Sequence, residues 1–211
     1  MPLEQLTKAS LAAAAQDLAQ RDKDLAAILK AHGSPPLWSR QPGFSTLIRI
    51  ILEQQVSLAS AASMYKRLSD SVQPFEPDRV IELGAPYLKS LGLTRQKTAY
   101  CMHLAESINS HTLKLRGLSK MNDEGAKAAL MEVKGIGSWS ADIYLLMVLR
   151  RPDIWPASDL ALATAVTKLK ELKQRATTDQ LFDIAERWRP FRSVAARMLW
   201  QSYLARREAR L

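Results

Sequence analysis

The 211-residue sequence contains a single cysteine, Cys101, and three histidines, His32, His103 and His111, that lie apart without ligand spacing. One thiol excludes an internal disulfide, a cysteine-based zinc site and a four-cysteine iron–sulfur cluster. The longest apolar run, residues 143–149, is far too short to cross a bilayer. No basic segment followed by an apolar stretch opens the chain, so no signal peptide is expected and a reducing cytoplasm is the expected compartment. Alternating apolar and polar stretches of strand length are missing, as is any Asn-Gly turn between β-branched runs. Repeats and low-complexity tracts are absent too. Acidic residues are in short supply, with 21 Asp and Glu against 30 Lys and Arg and a net charge of +9. That surplus points to a polyanionic partner, most simply nucleic acid.

Helical periodicity fills most of the chain, and the expected class is all-α. Leu18, Leu25, Ile28 and Leu29 share a stripe that Gly33, Ser34, Pro35 and Pro36 end. A helix over residues 44–54 turns Leu47, Ile48, Ile51 and Leu52 inward. Ser57 starts another, with Ala61, Met64, Tyr65 and Leu68. Asp78 is placed to cap a short helix ending at Gly84, Thr94 opens a longer one, and Asn122 caps the next. Further helices are expected over 138–149, 159–172, 178–188 and 193–207.

Two of these patterns are joined by Gly135, Ile136 and Gly137. Glycine permits positive φ and close backbone approach, so the chain can turn in a few residues, with Ile136 anchoring the turn in the core. The amides at Gly137, Ser138 and Trp139 then open a helix, where N–H groups and the dipole suit a phosphate oxygen. A plain corner between two helices is the alternative. Downstream, Asp159 follows Pro156 at the start of another helix pattern, 24 residues after Gly135. It either caps that helix, a task Ser158 could also take, or presents a carboxylate for chemistry.

The stretch from Val133 to Ala141 resembles the helix-hairpin-helix of the base-excision DNA glycosylase superfamily, apolar-Pro-Gly-apolar-Gly-x-x-Thr-Ala, with Lys134 in place of proline and Ser140 in place of threonine. The order and spacing of hairpin and Asp159 match as well. The resemblance implies an all-α, two-lobed helical bundle with an interlobe active-site cleft. One lobe would be residues 43–151, and the other residues 1–42 with 152–211. It implies Asp159 as the catalytic residue: a carboxylate beside the sugar stabilises the positive charge that builds on C1′ and O4′ as the N-glycosidic bond breaks. The same group could orient or deprotonate the attacking water. Lyase-type relatives carry a lysine two residues after the second hairpin glycine; Trp139 stands there, which implies a monofunctional enzyme.

Residues 188–200 are similar to the Trp-x-Pro-aromatic-Arg-Ser-x-Ala segment of the bacterial 3-methyladenine DNA glycosylase II group. By that likeness Trp200 and Trp139 line the base pocket, with Tyr144 or Phe191 completing it. A purine alkylated on a ring nitrogen is cationic, so it is drawn to an indole face by roughly 0.5–2 kcal/mol and leaves readily. A core role is the alternative for Trp200, Tyr144 and Phe191. The relatives' tyrosine just beyond Trp139 is Ile143 here. Gln55 matches the residue that relatives insert into the duplex when a base is extruded, an ordinary interhelix loop being the alternative. Lys134, Gly135, Gly137, Ser138 and Ser140 are the expected DNA-backbone contacts. The hairpin carbonyls of Met131, Val133 and Gly135 could hold a structural monovalent cation; no cofactor is expected to be required. Seven arginines and one glutamate from position 187 onward add either phosphate attraction or a merely solvated face.

The expectation is therefore a cytoplasmic, monomeric DNA glycosylase of base-excision repair in a compact form without the N-terminal β domain of some relatives. It would flip alkylated purines of the 3-methyladenine and 7-methylguanine type out of double-stranded DNA and hydrolyse them. The rivals are a glycosylase for another lesion and a noncatalytic hairpin protein that senses damaged DNA.

Overall fold

The computed structural model describes residues 5–208. Among them every regular element is an α-helix: α1 (Lys8–Arg21), α2 (Lys23–His32), α3 (Phe44–Glu53), α4 (Leu58–Ser71), α5 (Pro77–Ser90), α6 (Arg95–Asn109), α7 (Leu115–Leu118), α8 (Asp123–Met131), α9 (Ser138–Met147), α10 (Leu160–Leu169), α11 (Thr178–Glu186) and α12 (Arg192–Glu208). The chain divides into two compact units, Arg40–Tyr144 and the pair of segments Met1–Ser39 with Leu145–Leu211.

In the unit over Arg40–Tyr144, α3 is the central strut. Leu47, Ile48, Ile50, Ile51 and Leu52 are all almost wholly buried, because Ser45, Arg49 and Glu53 keep the less buried positions to one narrow stripe and the rest of the helix packs against α4 and α6. Residues 97, 98, 101, 104 and 105 form the buried stripe of α6, at the helical spacing that puts them on one face. Burial pushes the Cys101 thiol up to about 12, so it behaves as a small apolar group. α5 starts differently from the sequence expectation. Glu76 is its N-cap, Pro77 takes the first helical position, and Asp78 lies in the first turn. Gly84 (φ 72°) bends the helix, and helical turns resume as far as Ser90.

In the other unit, α12 packs against α1, α2 and α10. Residues 193–200 are all buried, so this helix reads as a core helix rather than an amphipathic one. Its buried Arg197 is satisfied by main-chain carbonyls. Nε donates to Leu37 O (3.0 Å), and the two terminal nitrogens donate to Ser193 O (3.0 Å) and Leu146 O (2.7 Å). Burial lowers its guanidinium to about 10. The stripe expected to run through Leu18 and Leu29 is broken at Asp22, which ends α1 and caps α2 through the Asp24 and Leu25 amides. Asp22 also accepts from Trp188 Nε1 (3.0 Å). Burial raises its pKa, but these hydrogen bonds and the charge of Lys170 outweigh it, and the carboxyl titrates below its ordinary range.

Candidate active site

The hairpin is built on two buried apolar residues, Val133 ahead of the first glycine and Ile136 between the two. After α8, Val133 is buried and its carbonyl accepts from the Ile136 amide (2.9 Å). Gly135 lies at φ +100°, and a Cβ there would come within 2.2 Å of Tyr100 Cγ. Ile136, 3% exposed, is the anchor. The Gly137 carbonyl then accepts from Ala141 N (3.0 Å), so α9 opens here, and its first-turn amides lie beyond the reach of the helix's own carbonyls. Lys134, Gly137 and Ser138 are exposed, while Gly135 and Trp139 are half-buried.

Two nominated contacts have partners inside the protein. Ser140 is 2% exposed, and its hydroxyl accepts from Gln54 Nε2 (2.9 Å), which also donates to the Gly135 carbonyl (2.8 Å). Ser140 therefore braces the hairpin from beneath, a correction to its nomination as a DNA contact. Ser138 Oγ donates to Asp142 (3.3 Å), which is in turn paired with Lys127 (2.6 Å). The exposed part of Ser138 at the helix start is what it can offer an anion. Of the carbonyls considered for a cation, Val133 and Gly135 each already accept one hydrogen bond. A carbonyl has a second lone pair, so these oxygens can accept again; no group of three or more His, Cys, Asp or Glu side chains that could hold a metal ion occurs among the described residues.

Of the two roles left open for Asp159, the geometry shows the cap. Asp159 is the N-cap of α10, with Oδ1 accepting from Leu162 N (2.8 Å), and Ser158 is left exposed. The same Oδ1 accepts from Trp200 Nε1 (3.1 Å). Aspartate and tryptophan, 41 residues apart, are thereby locked together by a helix start and an indole N–H. Trp200 is 7% exposed, and Trp38 meets it edge to face at a centroid distance of 6.4 Å. Trp38 sits at φ 46° in the segment whose Leu37 carbonyl is held by Arg197. Sequence reasoning passed over Trp38, since nothing in its surroundings has helical spacing.

The remaining aromatics separate. Tyr144 is fully buried, and burial pushes its hydroxyl up to about 12 against the opposing Gly43 backbone. It offers no face to a ligand and is a core residue, a correction to its nomination for the pocket. Phe191 is half-buried just ahead of α12. Its carbonyl opens that helix, accepting from Val194 N (2.9 Å) and Ala195 N (3.1 Å). Gln55 is exposed at φ 56°, beside exposed Val56 and Leu58. In the arginine-rich tail, Arg189 and Arg192 pair with Asp153, and Arg197 is internal. Much of that charge is committed to the fold, while Arg206 and Arg207 remain exposed.

Comparison with known proteins decides the lineage. Residues 48–190 match the model of the HhH-GPD superfamily base excision DNA repair proteins. The chain belongs to this superfamily. Among HhH-GPD relatives, a Bacillus subtilis DNA-3-methyladenine glycosylase is 29% identical over 170 residues, covering 75% of this chain and 56% of the relative. The Escherichia coli DNA-3-methyladenine glycosylase 2 is 28% identical over 176 residues, 76% of this chain and 59% of that one. The chain spans 65% and 56% of the length of two Bacillus subtilis relatives it matches. Among solved structures, the HhH-GPD fold is matched by a Schizosaccharomyces pombe 3-methyladenine DNA glycosylase in complex with abasic DNA. Its TM-score is 0.83 at 24% identity, over 89% of this chain and 95% of that one. A DNA-3-methyladenine glycosidase from Bacillus halodurans gives 0.78 at 23% identity, over 92% and 91%.

Proposed function

We propose that this HhH-GPD protein is a DNA glycosylase that hydrolyses the N-glycosidic bond of alkylated purines, of the 3-methyladenine and 7-methylguanine type, in base-excision repair. The observation that carries this reading is the Asp159 carboxyl group, fixed through Oδ1 by the Leu162 amide and the Trp200 indole. A group held in advance by two N–H donors spends no reorganisation when charge develops at the sugar. The glycosidic bond breaks with its electrons passing to the base, the cationic purine leaves neutral, and water adds to C1′ with loss of a proton. Trp200 supplies an aromatic surface for the cation, and Trp139 in the position of the lyase lysine makes the enzyme monofunctional. No strong general acid is needed for such a leaving group. The similarity to named 3-methyladenine glycosylases supports the lesion class.

The partner is double-stranded DNA with a damaged base, bound by a monomer in the cytoplasm; among the described residues no helix is long and apolar enough to cross a membrane. The exposed α9 start at Gly137 and Ser138, with Lys134 beside it, grips the backbone. Gln55 fills the gap left by the extruded base. A monovalent cation on the carbonyls of Met131, Val133 and Gly135 would add positive charge near the backbone phosphate.

Base release from duplex DNA methylated with dimethyl sulfate tests the activity directly. Free 3-methyladenine and 7-methylguanine, separated from intact DNA by chromatography, are the expected products, with no strand nicking. Binding to a tetrahydrofuran abasic duplex without any base release would instead identify a damage sensor. Release confined to deaminated or oxidised bases would identify a different lesion class.

Hairpin binding has its own readout. The affinity for the abasic duplex should fall with salt at about 0.9 logarithmic units per phosphate contacted, and Lys134→Gln should reduce that slope by about 1. Fluorescence anisotropy titrations between low and physiological salt measure it. An unchanged slope removes Lys134 from the phosphate contacts.

A further inference from the structure

The turn between α3 and α4 is held from several sides. α3 ends without a glycine cap. In place of one, the buried Lys97 of α6, 8% exposed, sends its ammonium group into the end of the helix. It donates to the carbonyls of Ile51 (3.2 Å), Leu52 and Gln54 (3.1 Å). A cation at a helix C-terminus satisfies the last carbonyls and complements the dipole. Glu53 is held by Arg40 through two hydrogen bonds (2.9 and 3.0 Å) and by Arg49 (3.2 Å). The Gln54 side chain reaches the hairpin at Gly135 and Ser140. Gln55 comes next, exposed and at φ 56°.

Few positions justify burying a lysine. Its desolvation is costly, and burial pulls its pKa below the ordinary value, with Cys101 and Glu53 acting in the opposite direction. Ending a helix takes no more than water or a glycine. What the lysine adds is a rigid path for the next residues. Three carbonyls converge on one ammonium, so the backbone of Gln54 is fixed and its side chain is aimed at the hairpin. Gln55 is therefore carried on an immobilised backbone in a left-handed conformation that a mobile loop of non-glycine residues seldom holds.

From this arrangement we infer that Lys97 is a positioning residue for base extrusion, acting through Gln55. It touches neither DNA nor the reacting atoms, and it holds the wedge against the restoring force of base stacking. A wedge on a loose loop would lose ordering entropy at the moment of insertion; a pinned one has lost it already. The inference rests on the reading of Gln55 as the inserted residue.

A double-mutant cycle separates the two. The probe is a duplex carrying 2-aminopurine next to a tetrahydrofuran abasic analogue, whose fluorescence rises when the local stack opens. Gln55→Ala should lower the opening equilibrium, read with the duplex saturated by protein so that a change in affinity does not enter. Lys97→Met should lower it on the order of tenfold in the wild-type background, the scale of a lost charge-assisted contact. In the Gln55→Ala background Lys97→Met should change it no further. Equal losses in both backgrounds, or no loss in the wild-type background, overturn the role of Lys97 and leave the wedge standing. No effect of Gln55→Ala overturns the wedge itself and the inference with it. Lys97→Gln, which keeps an N–H donor for one of the three carbonyls, gives the same reading with a smaller loss and replaces Lys97→Met should that variant not fold.

Discussion

Asp159→Asn is expected to reduce release of alkylated purines by at least about 100-fold while the protein stays folded and still binds abasic DNA. The two expectations have different origins. Asparagine keeps an oxygen where Oδ1 accepts from Leu162 N and Trp200 Nε1, so the cap on α10 and the link to the indole persist. Asparagine is as good an N-cap as aspartate, and the melting temperature should move little. What disappears is the charge, which counts most when the sugar becomes an oxocarbenium ion. Asp159→Ala removes cap, indole link and charge together, and should add a stability loss of about 1 kcal/mol. Single-turnover base release with thermal melts of both variants makes the comparison. Equal rates for wild type and Asp159→Asn would show that position 159 serves only as a helix cap.

The sequence made the hairpin and Asp159 legible because both are local. Glycine at a turn, an apolar anchor between two glycines and a carboxylate at a helix start each carry a mark within a few neighbouring residues. The partners of these groups carry no such mark. Gln54 meets Gly135 and Ser140 across 81 and 86 residues, and Trp38 meets Trp200 from the far end of the chain. Lys97 did leave a signal that was readable in principle. It shares a helical face with Cys101, Leu104 and Ala105, so it is the one charged residue in an apolar stripe. Tyr144 and Ser140 went the other way: proximity in sequence to the hairpin suggested function, whereas α9 turns both inward. The run of arginines likewise says little about surface charge until Asp153 and the carbonyls around Arg197 are in place.

The two hairpin glycines, identical in the motif, are required for different reasons, and substitution should separate them. At Gly135 the backbone lies at φ +100°, where an L-residue pays roughly 1–2 kcal/mol or more. The methyl group of alanine would also sit 2.2 Å from Tyr100 Cγ and 2.6 Å from Tyr100 Cβ. The atoms it meets are the near end of the tyrosine, not a flexible tip, so relief requires moving the Tyr100 side chain, whose hydroxyl accepts from Gln96 (2.7 Å). Overpacking of this kind costs typically 1–3 kcal/mol. Gly135→Ala should therefore destabilise the fold by about 2–5 kcal/mol, lowering Tm by about 5–15 °C for a chain of this size. Gly137 differs on both counts: its φ is ordinary, and a Cβ there meets nothing within 4 Å. Gly137→Ala should leave Tm nearly unchanged. If the open space beside Gly137 is where a DNA phosphate approaches the α9 amides, that variant should lose affinity for the abasic duplex instead. Calorimetry and anisotropy on the two proteins decide the matter. A stable Gly135→Ala protein would mean that Tyr100 yields easily, and a Gly137→Ala protein with unaltered DNA affinity would mean that the backbone is gripped elsewhere.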